Sequence, residues 1–269
     1  MKIGFIGTGN MATAIIQGIV AKDFLKGEEV YLFDVVTEKV QQLGAQVSAN
    51  VCASAAQVIE QADAIVLSVK PNVIQQVVEE TKTVLLEKKP LLISIAAGTT
   101  LEKLAGFVGT SELPIVRVMP NVNAMIGYGA AAVTGNPAAS QDQVRYVIDL
   151  FGAVGKAWEV EEKDFSAYTA LAGSSPAYAY LFIDSLARAG VKHGLAKEKA
   201  LEYAAQAVLG SAQMLIDSDE NPWTLIDRVC SPGGTTVAGL LALEEEAFIS
   251  TVVKGIDATV ARDQEMNHI

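Results

Sequence analysis

The stretch Lys2-Ile3-Gly4-Phe5-Ile6-Gly7-Thr8-Gly9-Asn10-Met11-Ala12 decides how the chain reads. Lys2 to Ile6 is a short apolar run of strand type, and Ala14-Ile15-Ile16 and Gly18-Ile19-Val20 follow at helical spacing. Between them lies G-x-G-x-x-A. In a strand–turn–helix, Gly7 makes the tight turn, Gly9 lets the backbone approach a pyrophosphate, and Ala12 permits close helix–strand packing. A second strand, Val30 to Phe33, ends in Asp34, about where a carboxylate meets a dinucleotide ribose. These features predict a dinucleotide-binding domain of Rossmann type. Asp34 would accept a hydrogen bond from a ribose 2′-hydroxyl and repel a 2′-phosphate, and the nearest following cation is Lys39. The residue leans toward NADH over NADPH.

The α/β alternation continues. Helical spacing covers 37–43 and 53–61, and a strand at 64–69 runs into Lys70-Pro71, with Asn72 as the expected cap of a helix at 73–87. Leu91 to Ile95 leads into Ala96-Ala97-Gly98. Ligands of open parallel sheets lie beyond the carboxyl ends of the strands. Lys70 is therefore placed to meet a phosphate or a substrate carboxylate, and the small residues at 96–98 let a nicotinamide ring lie close to the backbone. A strand at 115–119 ending at Pro120-Asn121, an apparent strand at 129–134, a helix at 140–151 and a strand at 155–159 complete this domain. The expected fold is α/β: a doubly wound Rossmann-type sheet over residues 1–160, then an all-α domain over 161–269.

In the second half the period is helical throughout. Ser175-Pro176 reads as an N-cap and first-turn pair for a helix to about Lys192, with Gly194 as its stop. Further helices are expected at about 197–217, from Pro222 toward Cys230, and at about 247–266. About 110 residues of apolar helix bury poorly alone, so a homodimer built on this half is expected.

Composition excludes several classes. The chain has 269 residues, 51% of them hydrophobic, and a net charge of −11. Such a balance disfavours nucleic acid, which needs a basic surface. No apolar run approaches the length that spans a bilayer, so no membrane partner is expected. Cys52 and Cys230 lie too far apart for a metal spacing and form no disulfide framework, which suggests a reducing cytoplasm and no metal.

Cys230-Ser231-Pro232-Gly233-Gly234-Thr235-Thr236 is the second informative stretch. Gly233 and Gly234 allow positive φ and close approach to a ligand. Their N–H groups and those of Thr235 and Thr236 open a helix from about Val237, a start that attracts anions. Ser231 and Thr236 add neutral hydroxyls, and the group that suits this cradle is a small carboxylate. A dinucleotide domain with such a cradle suggests hydride transfer to a small acid. The only histidines are His193, at an expected helix end, and His268, in the tail, and neither is placed as a general acid. No Tyr-x-x-x-Lys pair is present. Ketone reduction needs a positioned proton donor, whereas an imine nitrogen can arrive protonated. Imine reduction fits the inventory better.

The Gly-Phe-Ile-Gly-Thr-Gly-Asn-Met-Ala start, Ser68-Val69-Lys70-Pro71, Ala170-Leu-Ala-Gly-Ser-Ser-Pro-Ala-Tyr178 and Ser231-Pro-Gly-Gly-Thr-Thr236 together resemble the pyrroline-5-carboxylate reductase family, in order and over essentially the whole chain. The resemblance implies reduction of pyrroline-5-carboxylate to L-proline by NADPH or NADH. It implies dinucleotide contacts from Ile6, Gly7, Thr8, Gly9, Asn10 and Met11, from Ser68, Val69, Lys70 and Pro71, and from Ile95, Ala96 and Ala97. It implies that Ser231, Gly233, Gly234, Thr235 and Thr236 hold the substrate, with the Thr236 hydroxyl at the imine nitrogen and Glu162 facing the substrate. It also implies interlocked dimers that assemble further into decamers. Two positions depart from the family pattern. Arg228 stands where many relatives carry Asn; it could serve a carboxylate or pair with an acid. Asp34 stands where many carry Ser, Arg or Asn. The β-hydroxyacid dehydrogenases share the domain order, but Lys192 and Lys197 lack the glycine-rich context of their lysine acid/base. A catalytically silent dinucleotide sensor would have no need of the intact cradle.

Overall fold

The structure is a computed structural model that describes residues 1–268; the expectation for the His268 side chain concerns atoms outside that description. Its first part is a sheet of eight strands: β1 (Ile3–Ile6), β2 (Val30–Phe33), β3 (Asn50–Val51), β4 (Ala64–Leu67), β5 (Leu91–Ser94), β6 (Ile115–Pro120), β7 (Gly129–Gly135) and β8 (Gly155–Glu159). Their order is β3-β2-β1-β4-β5-β6-β7-β8. Neighbours run parallel except β7, which is antiparallel to β6. The order reverses at β1, which pairs with β2 on one side and β4 on the other, so a ligand crevice opens beyond the ends of β1 and β4.

The central strands are apolar at successive positions because helices cover both faces. Ile3, Phe5, Val66 and Ile93 face one core with α1 (Asn10–Ala21), α2 (Thr37–Val47) and α6 (Gln141–Gly152). Ile6, Ile65, Leu67 and Leu92 face the other with α3 (Ala55–Gln61), α4 (Pro71–Lys88) and α5 (Leu101–Val108). This is the doubly wound layering expected from the sequence.

Local details differ from the expectations. Helix α4 starts at Pro71 with Lys70 as its N-cap, so Asn72 lies inside the first turn and caps nothing. Proline at the first helical position needs no N–H partner, which moves the start forward. Helix α5 was not singled out by periodicity; it is eight residues, capped by the Thr100 hydroxyl at 3.2 Å from Lys103 N and stopped by Gly109 at φ 83°. Ser175 is not an N-cap. The short helix α7 (Phe165–Tyr168) continues through a π-helical turn, Thr169–Ser174, directly into α8 (Ser175–Lys192).

Residues 175–259 form a second compact unit, and Met1–Ser174 with Val260 onward form the first. The division thus falls 14 residues past the expected 160, because Glu162 and Phe165 are engaged with Arg117 of β6 and hold this segment to the first unit. The second unit contains α8, α9 (Lys197–Asp217), α10 (Pro222–Val229), α11 (Thr235–Glu245) and most of α12 (Phe248–His268). Its helices bury little by themselves. In α8 and α9 only Pro176, Ala187, Ala200 and Ala204 are buried, and Tyr203, Met214, Ile216, Leu241 and Ile249 are more than half exposed. That is an apolar surface which a single copy leaves uncovered.

Candidate active site

The turn after β1 is built around Gly7 at φ 99°. Its N–H donates to the Phe33 carbonyl at 2.8 Å, which ties the turn to β2. A Cβ here would lie 2.7 Å from the Ser68 carbonyl oxygen, so no other residue fits. The Ser68 hydroxyl lies 2.7 Å from the Gly7 oxygen and 3.1 Å from that of Ile6, lacing the end of β4 to the end of β1. Gly9 is the N-cap of α1. It supplies no side-chain cap, no acid occupies the first turn, and a Cβ on it would meet nothing within 4 Å. The first-turn N–H groups therefore face open space, the arrangement a pyrophosphate requires. On these observations the residues fit a dinucleotide.

The predicted contact segments converge. Gly9 to Ala12, Ser68 to Pro71 and Ile95 to Ala97 line one cleft of about 310 Å³. Met119 and Pro120 at the end of β6 complete its wall. They went unnoticed in the sequence, although β6 was expected to end there and strand ends carry ligands in this fold. Four predicted contacts, Ile6, Gly7, Thr8 and Asp34, do not line it. Ile6 is a core side chain, 2% exposed, and Thr8 is buried with its hydroxyl on Asp34.

Asp34 is held in place by the turn it follows. Its Oδ2 accepts from Thr8 N at 2.6 Å and Thr8 Oγ1 at 3.0 Å, and its Oδ1 accepts from Val36 N at 2.9 Å. Partial burial works against its ionisation. The Val36 and Thr8 N–H groups, the Thr8 hydroxyl and Lys39 outweigh that and hold its carboxyl below the usual carboxylate range. A fixed negative charge thus stands at the end of β2, next to the exposed Val35 and Val36.

Glu162 and Arg117 form a half-buried ion pair. Arg117 is 3% exposed, lies over the Phe165 ring at 4.6 Å and donates to Glu162 Oε1 at 3.0 Å. The same oxygen accepts from Leu101 N at 2.8 Å, at the N-terminus of α5. Oε1 is thus committed to the scaffold, and Oε2 is the oxygen left for any other contact. Sequence reading missed Arg117, since 45 residues separate the partners.

In the second unit the cradle has the expected loop–helix form, with α11 starting at Thr235 rather than Val237. Gly233 takes φ 66°, whereas Gly234 is extended at φ −78° and serves as the N-cap. Gly234 N donates to Ser231 O at 3.0 Å, and a Cβ on Gly234 would fall 2.3 Å from Ser231 Oγ. That hydroxyl can rotate, but the Ser231 carbonyl oxygen would lie 3.0 Å from the same Cβ, so the tight turn rather than left-handed backbone favours the second glycine. No side chain caps α11, so the N–H groups of Thr235 and Thr236 open outward beside the exposed Ser231. Arg228 pairs with Glu220 through one terminal nitrogen, the second of its two readings. His193 follows the end of α8 and is exposed. Among the described residues no cluster of His, Cys, Asp or Glu could hold a metal.

Comparison with known proteins agrees with these features. Residues 162–266 match the family described as pyrroline-5-carboxylate reductase dimerisation, and residues 2–98 match NADP oxidoreductase, coenzyme F420-dependent. The pyrroline-5-carboxylate reductase of Escherichia coli is 36% identical over 99% of this chain and 98% of its own length. The 1-pyrroline-5-carboxylate reductase structure from Streptococcus pyogenes is 42% identical, covers 98% of each chain and superposes with a TM-score of 0.86. The Plasmodium falciparum enzyme, solved with NADP bound, is 34% identical, with a TM-score of 0.88 over 99% of this chain and 98% of its own. With relatives of this identity along its whole length, the chain belongs to the pyrroline-5-carboxylate reductase family.

Proposed function

We propose that the cleft at the ends of β1, β4 and β5 holds NAD(P)H and that the Ser231–Thr236 cradle holds the carboxylate of 1-pyrroline-5-carboxylate, whose C=N bond is reduced to give L-proline in the last step of proline biosynthesis. The observation that carries this reading is the convergence of Gly9–Ala12, Ser68–Pro71 and Ile95–Ala97 on one cleft in a chain of this family. The chain is an NAD(P)H-dependent oxidoreductase of the class acting on cyclic imines. When bound, the reduced nicotinamide supplies the hydride.

The protein's own part is positioning. The Gly9, Asn10 and Met11 N–H groups hold the pyrophosphate, Gly7 and Thr8 shape the turn through their backbone, and Lys70 adds a cation at the rim. Ala96, buried, and Ala97, half-buried, are small and leave room for a flat ring against the end of β5. At the cradle, the Gly234, Thr235 and Thr236 region binds the carboxylate, with Ser231 as a hydroxyl partner. The Thr236 hydroxyl is the hydrogen-bond partner of the imine nitrogen, accepting from it when it arrives protonated and donating to it when it does not. Glu162 reaches substrate through Oε2, since Oε1 is committed. The test is initial-rate oxidation of NADH and of NADPH with pyrroline-5-carboxylate at one salt concentration. A folded, oligomeric sample with no turnover on either cofactor would overturn the reading.

Thr236→Ala is expected to lower kcat about 10- to 100-fold with KM for the pyrroline acid little changed, the pattern of a group that acts mainly in the transition state. A rise in KM alone would reduce Thr236 to a binding residue. For the cofactor, the fixed charge of Asp34 favours NADH. Asp34→Asn removes the charge and keeps one acceptor oxygen, which serves either Thr8 or Val36. The NADPH-to-NADH ratio of kcat/KM is expected to rise about tenfold; an unchanged ratio would discard this role.

The family match over 162–266 and the uncovered apolar helices support self-association. We read the assembly as a homodimer that builds further to a decamer, as the family resemblance suggests. No helix among the described residues is long and apolar enough to cross a membrane. The unpaired Cys52 and Cys230 support a cytoplasmic setting.

A further inference from the structure

A second cavity lies in the first unit, beside the cofactor cleft. Its volume is about 410 Å³, within the range of small-molecule sites. It shares Pro71 and Ala97 with the cleft, and its other walls are the start of α5, through Lys103 and Phe107, and the end of α12, through Arg262 and Met266. The α12 wall is held from behind. Asp263 is 7% exposed and accepts from the Ser166 hydroxyl at 2.8 Å and from Asn267 Nδ2 at 3.0 Å, which locks the last turns of α12 onto the first unit.

The chemistry of the lining is selective. The chain has 31 acidic residues against 20 basic ones, yet the described residues that line this cavity include two cations and no acid. Lys103 is partly buried and forms no ion pair among the described residues, while its backbone N–H is committed to the Thr100 hydroxyl. Arg262 holds Glu265 through one terminal nitrogen, an exposed pair of small worth that leaves its remaining donors available. Phe107, Met266 and Pro71 supply the apolar remainder. Glu265, paired with Arg262, is not among the lining residues, so the lining itself offers no carboxylate to the ammonium of a zwitterionic amino acid.

We propose that this cavity is a second ligand site, distinct from the dinucleotide cleft, which takes a small organic carboxylate with an apolar body. Its anionic head lies between Lys103 and Arg262, and its apolar part lies on Phe107 and Met266. Charge-assisted hydrogen bonds from two cations provide the selection for an anion, and apolar contact provides most of the affinity.

The test uses the full chain and phenylacetate as probe, with phenylacetamide as its neutral counterpart, by titration calorimetry in saturating L-proline so that the substrate cradle is filled. The expected result is saturable binding of phenylacetate with Kd on the order of 1 mM, weakened about tenfold in Lys103→Met and in Arg262→Met, and no binding of phenylacetamide. Both variants are expected to keep wild-type turnover without phenylacetate, which certifies their fold. Binding that disappears in L-proline, that ignores both substitutions, or that phenylacetamide reproduces would overturn the proposal, as would no binding up to about 10 mM. Failure here leaves turnover of the pyrroline acid intact, so it is distinguishable from failure of the proposed function.

Discussion

Gly7→Ala is expected to raise the KM for NAD(P)H about 100-fold, equivalent to about 2.7 kcal/mol of cofactor binding. Two independent costs act at this position. Alanine at φ 99° is strained by its Cβ whatever the surrounding space. The added Cβ also has no room, because the Ser68 carbonyl would lie 2.7 Å away and is backbone, not a side chain that can swing aside. Relief requires the turn to move away from β4. That movement breaks the 2.8 Å bond from Gly7 N to Phe33 and displaces the first N–H groups of α1 from the cleft. The helical second unit shares none of these contacts, so the variant should still associate. The measurement is the KM for each cofactor, read beside the oligomer mass from sedimentation. A Gly7→Ala enzyme with wild-type cofactor KM would remove the turn from the proposed binding machinery.

Glu162→Ala should produce the largest loss of stability among single changes in the first unit's polar groups, about 2–4 kcal/mol by urea unfolding. The loss comes mostly from what is left behind. Arg117 is 3% exposed and would keep its charge without a counterion, and the N-terminus of α5 would lose its acceptor at Leu101. Glu162 itself is about a third exposed, which places the expected effect below that of a fully buried pair. Glu162→Gln separates the two roles of this residue. The amide oxygen can still accept from Leu101 and Arg117, so most of the stability should return. A raised KM for the pyrroline acid in that variant would support the proposed contact through Oε2. A KM equal to wild type would leave Glu162 as a scaffold residue and withdraw it from the substrate site.

The Gly7 turn, the strand ends and the Gly233–Gly234 loop were legible in the sequence because each is a local device. A glycine forced to φ 99°, a helix opening on uncapped N–H groups and an apolar run of strand length all depend on residues within a few positions of one another. The helical spacing of the second half was legible for the same reason, and α9 matches its expected span at Lys197–Asp217. The sequence was less informative where position in a turn turns on one residue, as with Asn72, and where a helix is short, as with α5.

Long-range pairing was decided only in three dimensions. Arg117 meets Glu162 across 45 residues, Ser166 meets Asp263 across 97, and Asp34 turns back 26 residues to hold Thr8. None of these pairings has a periodic signature, since any of many acids could satisfy a given donor until the sheet order brings one within 3 Å. The compact division after Ser174 and the return of the α12 end to the first unit follow from those contacts, not from composition. Local backbone chemistry thus specified which elements exist and where helix starts and strand ends open. The packing of distant segments decided which side chains serve the scaffold and which remain free for ligands.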